Sequence, residues 1–245
     1  MHRFFLTETE FVVGQLVDLA QVARQLNNVL RLQVGAQIIL LDGLGNQFLV
    51  ELQQITRDRT FGLVLQQQPV TSEPGVQLTL YQCSLKADKF EWILQKGTEL
   101  GVARFVPVIS ERSIVRPAEA LLKKYERWQN ILREAAEQCG RGRVPALAPP
   151  VTWTGAIQQA TGLRLLPWEE RAGHANSLQH CLAGHAQVDQ VNLLIGPEGG
   201  VTADEVKLAE GAGWQVVSLG PRILRAETAA LAGITLVLAS YGEFG

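Results

Sequence analysis

A chain of 245 residues, 47% hydrophobic and 19% charged, can bury a sizeable core and is long enough for one large domain or two smaller ones. Its net charge of −2 argues against a protein that coats nucleic acid indiscriminately, and no stretch approaches the ~20 uninterrupted apolar residues of a membrane span. The N-terminal MHRFFLTETEF has no long apolar run followed by a small-residue cleavage site, so a cytoplasmic address is expected. Cys83, Cys139 and Cys181 form no CxxC pair and no zinc-spaced cluster, so reduced, buried thiols and no metal site are expected.

About the first seventy residues read as a small β-rich domain. One helix is predicted over Gln21–Leu32, where Val22, Leu26, Val29 and Leu30 fall at helical spacing and would plug one end of a small barrel. From Ala36 to Gln67, short apolar or alternating runs are broken by Asp42-Gly43 and Gly45-Asn46, as hairpin strands are. The stretch from Gln68 to Gly75, rich in Pro, Ser, Thr and Gly, lacks periodicity and marks the expected boundary between residues 1–70 and 76–245.

Beyond it, strands alternate with helices. Leu78–Leu85 reads as a buried strand, Asp88–Leu100 as a helix with Phe90, Ile93, Leu94 and Leu100 on one face, and Phe105–Ile109 as a second strand. Ala118–Cys139 reads as one long amphipathic helix, and Pro145, Pro149 and Pro150 mark a crossing to the next part of the chain. Short strands follow at Leu163–Leu166, Val191–Ile195 and Gln215–Leu219, then a helix over Ala226–Ala239. Such alternation predicts an α/β domain with a mainly parallel sheet, in which ligands bind where loops leave the carboxyl ends of strands. Pattern alone leads to an unknotted, doubly wound sheet.

Charge is unevenly placed. Between Arg104 and Arg143 lie nine Lys or Arg against five Glu, so that segment is +4 and the remainder −6. Sixteen of the 22 basic residues are Arg, whose planar fork suits phosphate better than Lys does, although a solvated helix face with paired charges would look the same.

Three loops stand at strand ends: Leu166-Pro167-Trp168-Glu169-Glu170, Ile195-Gly196-Pro197-Glu198-Gly199-Gly200, and Leu219-Gly220-Pro221-Arg222-Ile223-Leu224-Arg225-Ala226-Glu227-Thr228-Ala229. Two of them carry a Gly-Pro step straight after an apolar strand. Gly lets backbone approach a ligand closely and Pro stiffens the turn, so such loops present fixed N–H and C=O groups suited to a flat adenine and a zwitterionic methionine. They are not a phosphate cradle, because neither GxxxxGK[ST] nor GxGxxG occurs. A tight turn capped before Thr202 would also explain Gly196–Gly200 taken alone.

These two loops resemble signature segments of the SPOUT RNA methyltransferases, and most closely the ribosomal RNA small subunit methyltransferase E family. Lys96–Val102, Ser110–Ser113 and Glu134–Arg141 resemble that family's segments in order, and Asn28–Leu32 with Asp42-Gly43 resembles its N-terminal PUA-like barrel. The chain departs from the family at Gly97, where Ala is usual, and at Cys139, where Ser is common.

The resemblance implies an S-adenosylmethionine-dependent enzyme acting on N3 of a uridine in 16S ribosomal RNA, a C-terminal domain tied as a deep trefoil knot, and a homodimer. It implies cofactor contacts from Leu166, Glu169, Ile195, Gly196, Gly200, Leu219, Gly220, Leu224, Arg225, Glu227, Thr228 and Ala229. N3 carries a proton at neutral pH, so Arg225 is the expected cation beside the developing negative charge and Glu198 or Glu227 the expected general base, with helix N-terminal capping as the plainer role for each Glu. His2, His174, His180 and His185 lie where no base is expected. Phosphate contacts are expected from Arg3, Arg24, Arg31, Arg112, Arg116, Arg141 and Arg143, with surface ion pairs as the alternative for each. A sister enzyme acting on ribose or tRNA, or a non-catalytic ribosome-assembly factor, stays open; a dinucleotide-dependent oxidoreductase lacks its fingerprint.

Overall fold

Alternating apolar and polar residues lay down the first sheet. Strands β1 (Arg3–Phe5), β2 (Leu16–Asp18), β3 (Gln37–Leu41), β4 (Asn46–Ile55) and β5 (Thr60–Pro69) pair in the order β1-β3-β4-β5-β2, parallel only between β1 and β3. The computed structural model describes residues 1–56, 59–115, 117–171 and 177–244. It comprises one unit of Met1–Glu73 with Ala136–Val144, and a second made of the rest. In the first, Ile38 and Leu40 of β3 and Phe48, Val50 and Leu52 of β4 meet Leu19, Val22, Leu26 and Val64 in one buried cluster, as a side-chain period of two requires. The β3–β4 reversal is held by Asp42, whose Oδ1 accepts from Leu44 N–H at 2.7 Å and Asn46 N–H at 3.0 Å. Burial raises the Asp42 pKa, but these donors and the Asn46 side chain outweigh it and hold the carboxyl below its ordinary value.

The helix expected over Gln21–Leu32 shrinks to a π-turn at Gln25–Val29, closed by Leu30 N–H donating to the Gln25 carbonyl at 2.9 Å, after which Arg31 takes φ 52°. Val22 and Leu26 are buried as their spacing demands. The extra residue in the widened turn rotates Val29 outward, to 70% exposure. Gln68 and Pro69, read as linker, end β5. The distant segment Ala136–Val144 completes this unit: Phe5 N–H donates to Glu137 Oε1 at 2.9 Å, and Ala136 is buried with Phe5 and Leu41.

The second unit alternates β6 (Gln77–Cys83), α1 (Ala87–Leu100), β7 (Arg104–Ile109), α2 (Ala118–Leu122), α3 (Tyr125–Cys139), β8 (Ala146–Leu147), β9 (Val151–Thr152), α4 (Trp153–Gln159), β10 (Leu163–Pro167), α5 (Leu178–Ala183), β11 (Gln190–Ile195), α6 (Ala203–Gly211), β12 (Gln215–Val217) and α7 (Ala226–Ser240). The C-terminal end of α3 belongs to the first unit. All pairings are parallel, in the order β12-β10-β11-β6-β7-β8 with β9 also on β7. Strands covered on both faces read as near-continuous apolar runs, which is why Val191–Ile195 shows no alternation.

The single helix expected over Ala118–Cys139 is broken at Lys123-Lys124. Leu121 and Trp128, on either side of the break, are each 1% exposed, and the Tyr125 hydroxyl donates to the Leu147 carbonyl, so packing sets the joint. α7 packs against α1, α5, β6 and β11, and approaches β11 so closely that a Cβ on Gly233 would stand 2.8 Å from Leu193 Cδ2. Of the three cysteines, all free, Cys83 is buried and the other two are half-buried. Among the described residues no helix is long and apolar enough to cross a membrane.

Candidate functional site

β12, β10 and β11 are parallel neighbours, so the loops that follow them emerge side by side at one edge of the sheet. They wall a cavity of about 290 Å³, into which Lys89 of α1 also projects. A hollow of about 60 Å³ between Trp168 and Ser218–Gly220 shares Pro167, Glu169, Leu224 and Ala229 with it. A roomier cavity of about 510 Å³ lies at the opposite ends of these strands, beside Gly162, Gln190 and Gln215. Size does not decide between them, because loops at the carboxyl ends are where a parallel sheet exposes converging backbone groups.

Local chemistry shapes the walls. A Cβ on Gly196 would stand 2.6 Å from Val201 Cγ2, and one on Gly200, at φ 72°, would stand 3.0 Å from Glu169 Oε1. Both glycines therefore keep space that any side chain would fill. Gly200 N–H donates to the Pro197 carbonyl at 3.0 Å, closing the turn. α6 then begins with a capping box, in which Thr202 Oγ1 accepts from Glu205 N–H (3.3 Å) and Glu205 Oε2 accepts from Thr202 N–H (3.1 Å). Capping here falls to Glu205, not to Glu198. In the third loop Gly220, at φ 110°, donates its N–H to Ser218 Oγ at 3.1 Å, and Trp168 N–H is tied to the Val217 carbonyl at 3.0 Å. The Trp168 indole N–H is buried and has no hydrogen-bond partner among the described residues.

Of the expected cofactor contacts, Glu169, Ile195, Gly196, Gly200, Leu224, Arg225 and Ala229 line the 290 Å³ cavity, and Leu219 and Gly220 the adjoining hollow. Leu166 is fully buried in the core beneath, and its neighbour Pro167 forms the wall; Thr228 is exposed and lines neither. Glu198 lines the cavity as well, and its Oε1 lies 3.6 Å from Lys89 Nζ. Glu227 Oε2 lies 3.4 Å from the same ammonium. Sequence reasoning passed over Lys89. Its signal was a cation in the first turn of α1, where the helix dipole disfavours one.

The expected phosphate contacts scatter. Arg141 is a correction: it is 4% exposed, and its Nε and Nη2 donate to Glu73 at 3.3 and 2.8 Å. A buried guanidinium already bonded to a carboxylate is part of the fold and is withdrawn from phosphate. Arg112 is exposed but donates from Nη1 to the Gly199 carbonyl at 3.1 Å, bracing the second loop. Arg143 is exposed, with Nη2 donating to the Leu44 carbonyl at 3.2 Å, and the Arg3 guanidinium lies over Gly140. Arg24 and Arg31 are exposed. Arg116 and His174 lie outside the described residues. His185 lines the far cavity, where its Nδ1 is 2.9 Å from the Cys181 carbonyl. Among the described residues no three His, Cys, Asp or Glu gather as metal ligands.

Fold and site together define an RNA methyltransferase: the family model for the RNA methyltransferase domain matches residues 72–238, and that for the RNA methyltransferase PUA domain matches residues 26–62. A ribosomal RNA small subunit methyltransferase E of Bacillus subtilis is 30% identical over 245 residues, covering 97% of this chain and 96% of its own. One from Synechocystis is 37% identical over 221 residues, covering 88% and 71%. The crystal structure of the Neisseria gonorrhoeae protein of the same name, bound to S-adenosyl methionine, superposes with a TM-score of 0.88 at 37% identity over 100% of both chains. A Legionella pneumophila methyltransferase in complex with its cofactor SAM gives 0.86 at 32% identity, over 97% of this chain and 96% of that one. The chain belongs to the ribosomal RNA small subunit methyltransferase E family.

Proposed function

We propose that the protein transfers the methyl group of S-adenosylmethionine to N3 of a uridine in 16S ribosomal RNA, with the assembled small subunit as substrate. The observation that carries this reading is the convergence of three strand-end loops, two of them glycine-bearing, on one cavity, in a chain of this family. When bound, the cofactor supplies an electrophilic methyl carbon on a sulfonium. The cavity's chemistry fits it: Gly196 and Gly200 leave room for a flat ring, Ile195, Leu224 and Ala229 offer apolar contact, and Glu169 and Glu198 face the cationic end. The Trp168 indole N–H, which has no partner among the described residues, is a donor for a ligand acceptor. Leu219 and Gly220 extend the binding surface.

Displacement at the methyl carbon needs acceptor and leaving group in line at ~3–3.5 Å, so holding both partners is the chief work of these loops. Glu198 or Glu227 receives the N3 proton and Arg225 offers positive charge to the base. N3 lies on the Watson–Crick edge, so the target is unpaired or swung out, and Arg3, Arg24, Arg31 and Arg143 of the smaller unit grip the flanking phosphates. We include in this reading a homodimer, a cytoplasmic address, a trefoil-knotted C-terminal domain, and the division of labour between an RNA-binding part at 1–70 and a catalytic part at 76–245. The interleaved strand order β12-β10-β11-β6 supports the threading.

Incubating small subunits that lack the modification with protein and labelled cofactor, then mapping the product by mass spectrometry, tests this. A methyl group on N3 of one uridine is the expected result. Label on ribose or on tRNA alone would replace the substrate, and cofactor binding without any transfer would make the protein an assembly factor.

A further inference from the structure

We propose that Lys89 is a catalytic residue of this site, whose ammonium donates to a uracil carbonyl beside N3 while Glu227 takes the N3 proton; this rests on the methyltransferase reading above. Lys89 lies in the first turn of α1, where its charge opposes the helix dipole, so helix stability does not account for it. Its ammonium stands 3.6 Å from Glu198 Oε1 and 3.4 Å from Glu227 Oε2, both longer than the 2.7–2.9 Å of a charge-assisted hydrogen bond. Three N–H donors thus face two loosely held carboxylates; Lys89 and Glu198 line the cavity, Glu227 follows its lining residue Ala226, and the side chains are 27%, 21% and 18% exposed.

The Glu227 Oε2 atom is withdrawn from solvent and, among the described residues, makes no hydrogen bond, despite the nearby ammonium. An acceptor in need of a donor therefore stands beside a donor with capacity to spare. Uracil presents the complementary pattern, an N3–H between two carbonyl oxygens. Cytosine has a bare N3, which would set a lone pair against the Glu227 carboxylate, so the same pair discriminates against cytidine. In the step itself the N3–H bond breaks with its proton passing to Glu227, and the N3 electron pair forms the bond to the methyl carbon. The carbon–sulfur bond breaks with its electrons left on sulfur, giving a neutral thioether, and Lys89 keeps all its protons.

The test compares Lys89→Gln and Lys89→Arg with the unaltered protein by calorimetry with S-adenosylmethionine and by single-turnover methyl transfer across pH. Lys89→Gln is expected to hold cofactor affinity within about threefold while transfer near neutrality slows on the order of 100-fold, as when one donor to a developing anion is removed. Lys89→Arg recovers part of the rate, and the Lys89→Gln deficit narrows at alkaline pH, where the base ionises unaided. Independently of turnover, 5-fluorouridine placed at the mapped nucleotide and bound with S-adenosylhomocysteine should ionise at a higher pH on Lys89→Gln than on the unaltered protein. Transfer within about twofold of normal, or an equal loss at every pH matched by the loss of cofactor affinity, overturns the assignment. If the unaltered protein methylates no uridine N3, the functional reading itself fails and this inference falls with it; if it does, only Lys89 is in question.

Discussion

Arg141 and Lys89 are both basic residues facing glutamate, yet they differ in every respect that separates structure from chemistry. The Arg141 side chain is 5% exposed and bonded to Glu73 at 2.8 Å, and Glu73 also accepts the backbone N–H groups of Gly142 and Arg143 at 2.9 and 3.1 Å. Lys89, 27% exposed, stands at 3.6 and 3.4 Å between two carboxylates at the wall of a glycine-lined cavity. A saturated, buried charge rigidifies; a loosely bonded one beside a cavity keeps capacity for a ligand.

Breaking the first cluster should have the largest effect on stability. Glu73→Ala removes the carboxylate bonded to a buried guanidinium and frees two backbone donors, and a loss of about 3 kcal/mol is expected in urea melts, with cofactor affinity of the folded protein unchanged. A loss within the range of ordinary surface pairs would erase the contrast. Gly200→Ala should do the reverse: at φ 72°, with its methyl 3.0 Å from Glu169 Oε1, it is expected to weaken S-adenosylmethionine binding about 100-fold by calorimetry while the far-ultraviolet dichroism stays normal.

Cys83 shows what burial does to a group without an ionic partner. Burial pushes its thiol up to about 12 from an ordinary 9.0, with the Ser110 hydrogen bond pulling slightly back and the Glu205 charge adding to the rise. The unfolded chain therefore loses this proton first, and stability present below pH 9.0 is lost as pH climbs toward 12. One unit above the ordinary value the loss is about 1.4 kcal/mol, and Cys83→Ala should flatten that alkaline limb in denaturation curves taken against pH. Gly97 has a packing cause. A Cβ there would stand 2.9 Å from the ring of Phe105, itself 1% exposed, so Gly97→Ala is expected to lower stability by about 1 kcal/mol despite better helix propensity. A more stable variant in thermal melts would remove that explanation. The smallest effect belongs to Arg143→Gln, which should reduce the salt slope of RNA binding by about one and leave folding and cofactor affinity alone. An unchanged slope in filter-binding titrations would take Arg143 off the RNA surface.

Features governed by neighbours in the chain were legible beforehand. Period-two runs, Asp42-Gly43 and the apolar strands ending in Gly-Pro announce themselves locally, and β6, β7, β10, β11 and β12 fall within a few residues of expectation, whereas the two-residue strands β8 and β9 were read only as a crossing marked by Pro145, Pro149 and Pro150. The helix over Gln21–Leu32 was misread because one added residue in a π-turn turns Val29 outward without altering the letters that suggest a helix. Leu166, which the family resemblance gave to the cofactor, has its side chain in the core beneath the loop, a placement that no local pattern announces.

The sequence by itself determined the main strands of both sheets and the loops that could meet a ligand, because periodicity and turn chemistry are written in adjacent residues. Tertiary structure alone decided that β12, β10 and β11 stand together, that α1 delivers Lys89 to Glu198 and Glu227, and that Ala136–Val144 joins the N-terminal unit and buries Arg141. A charged letter specifies neither its burial nor its partner; those follow from which elements become neighbours, and that is set by packing across the whole chain.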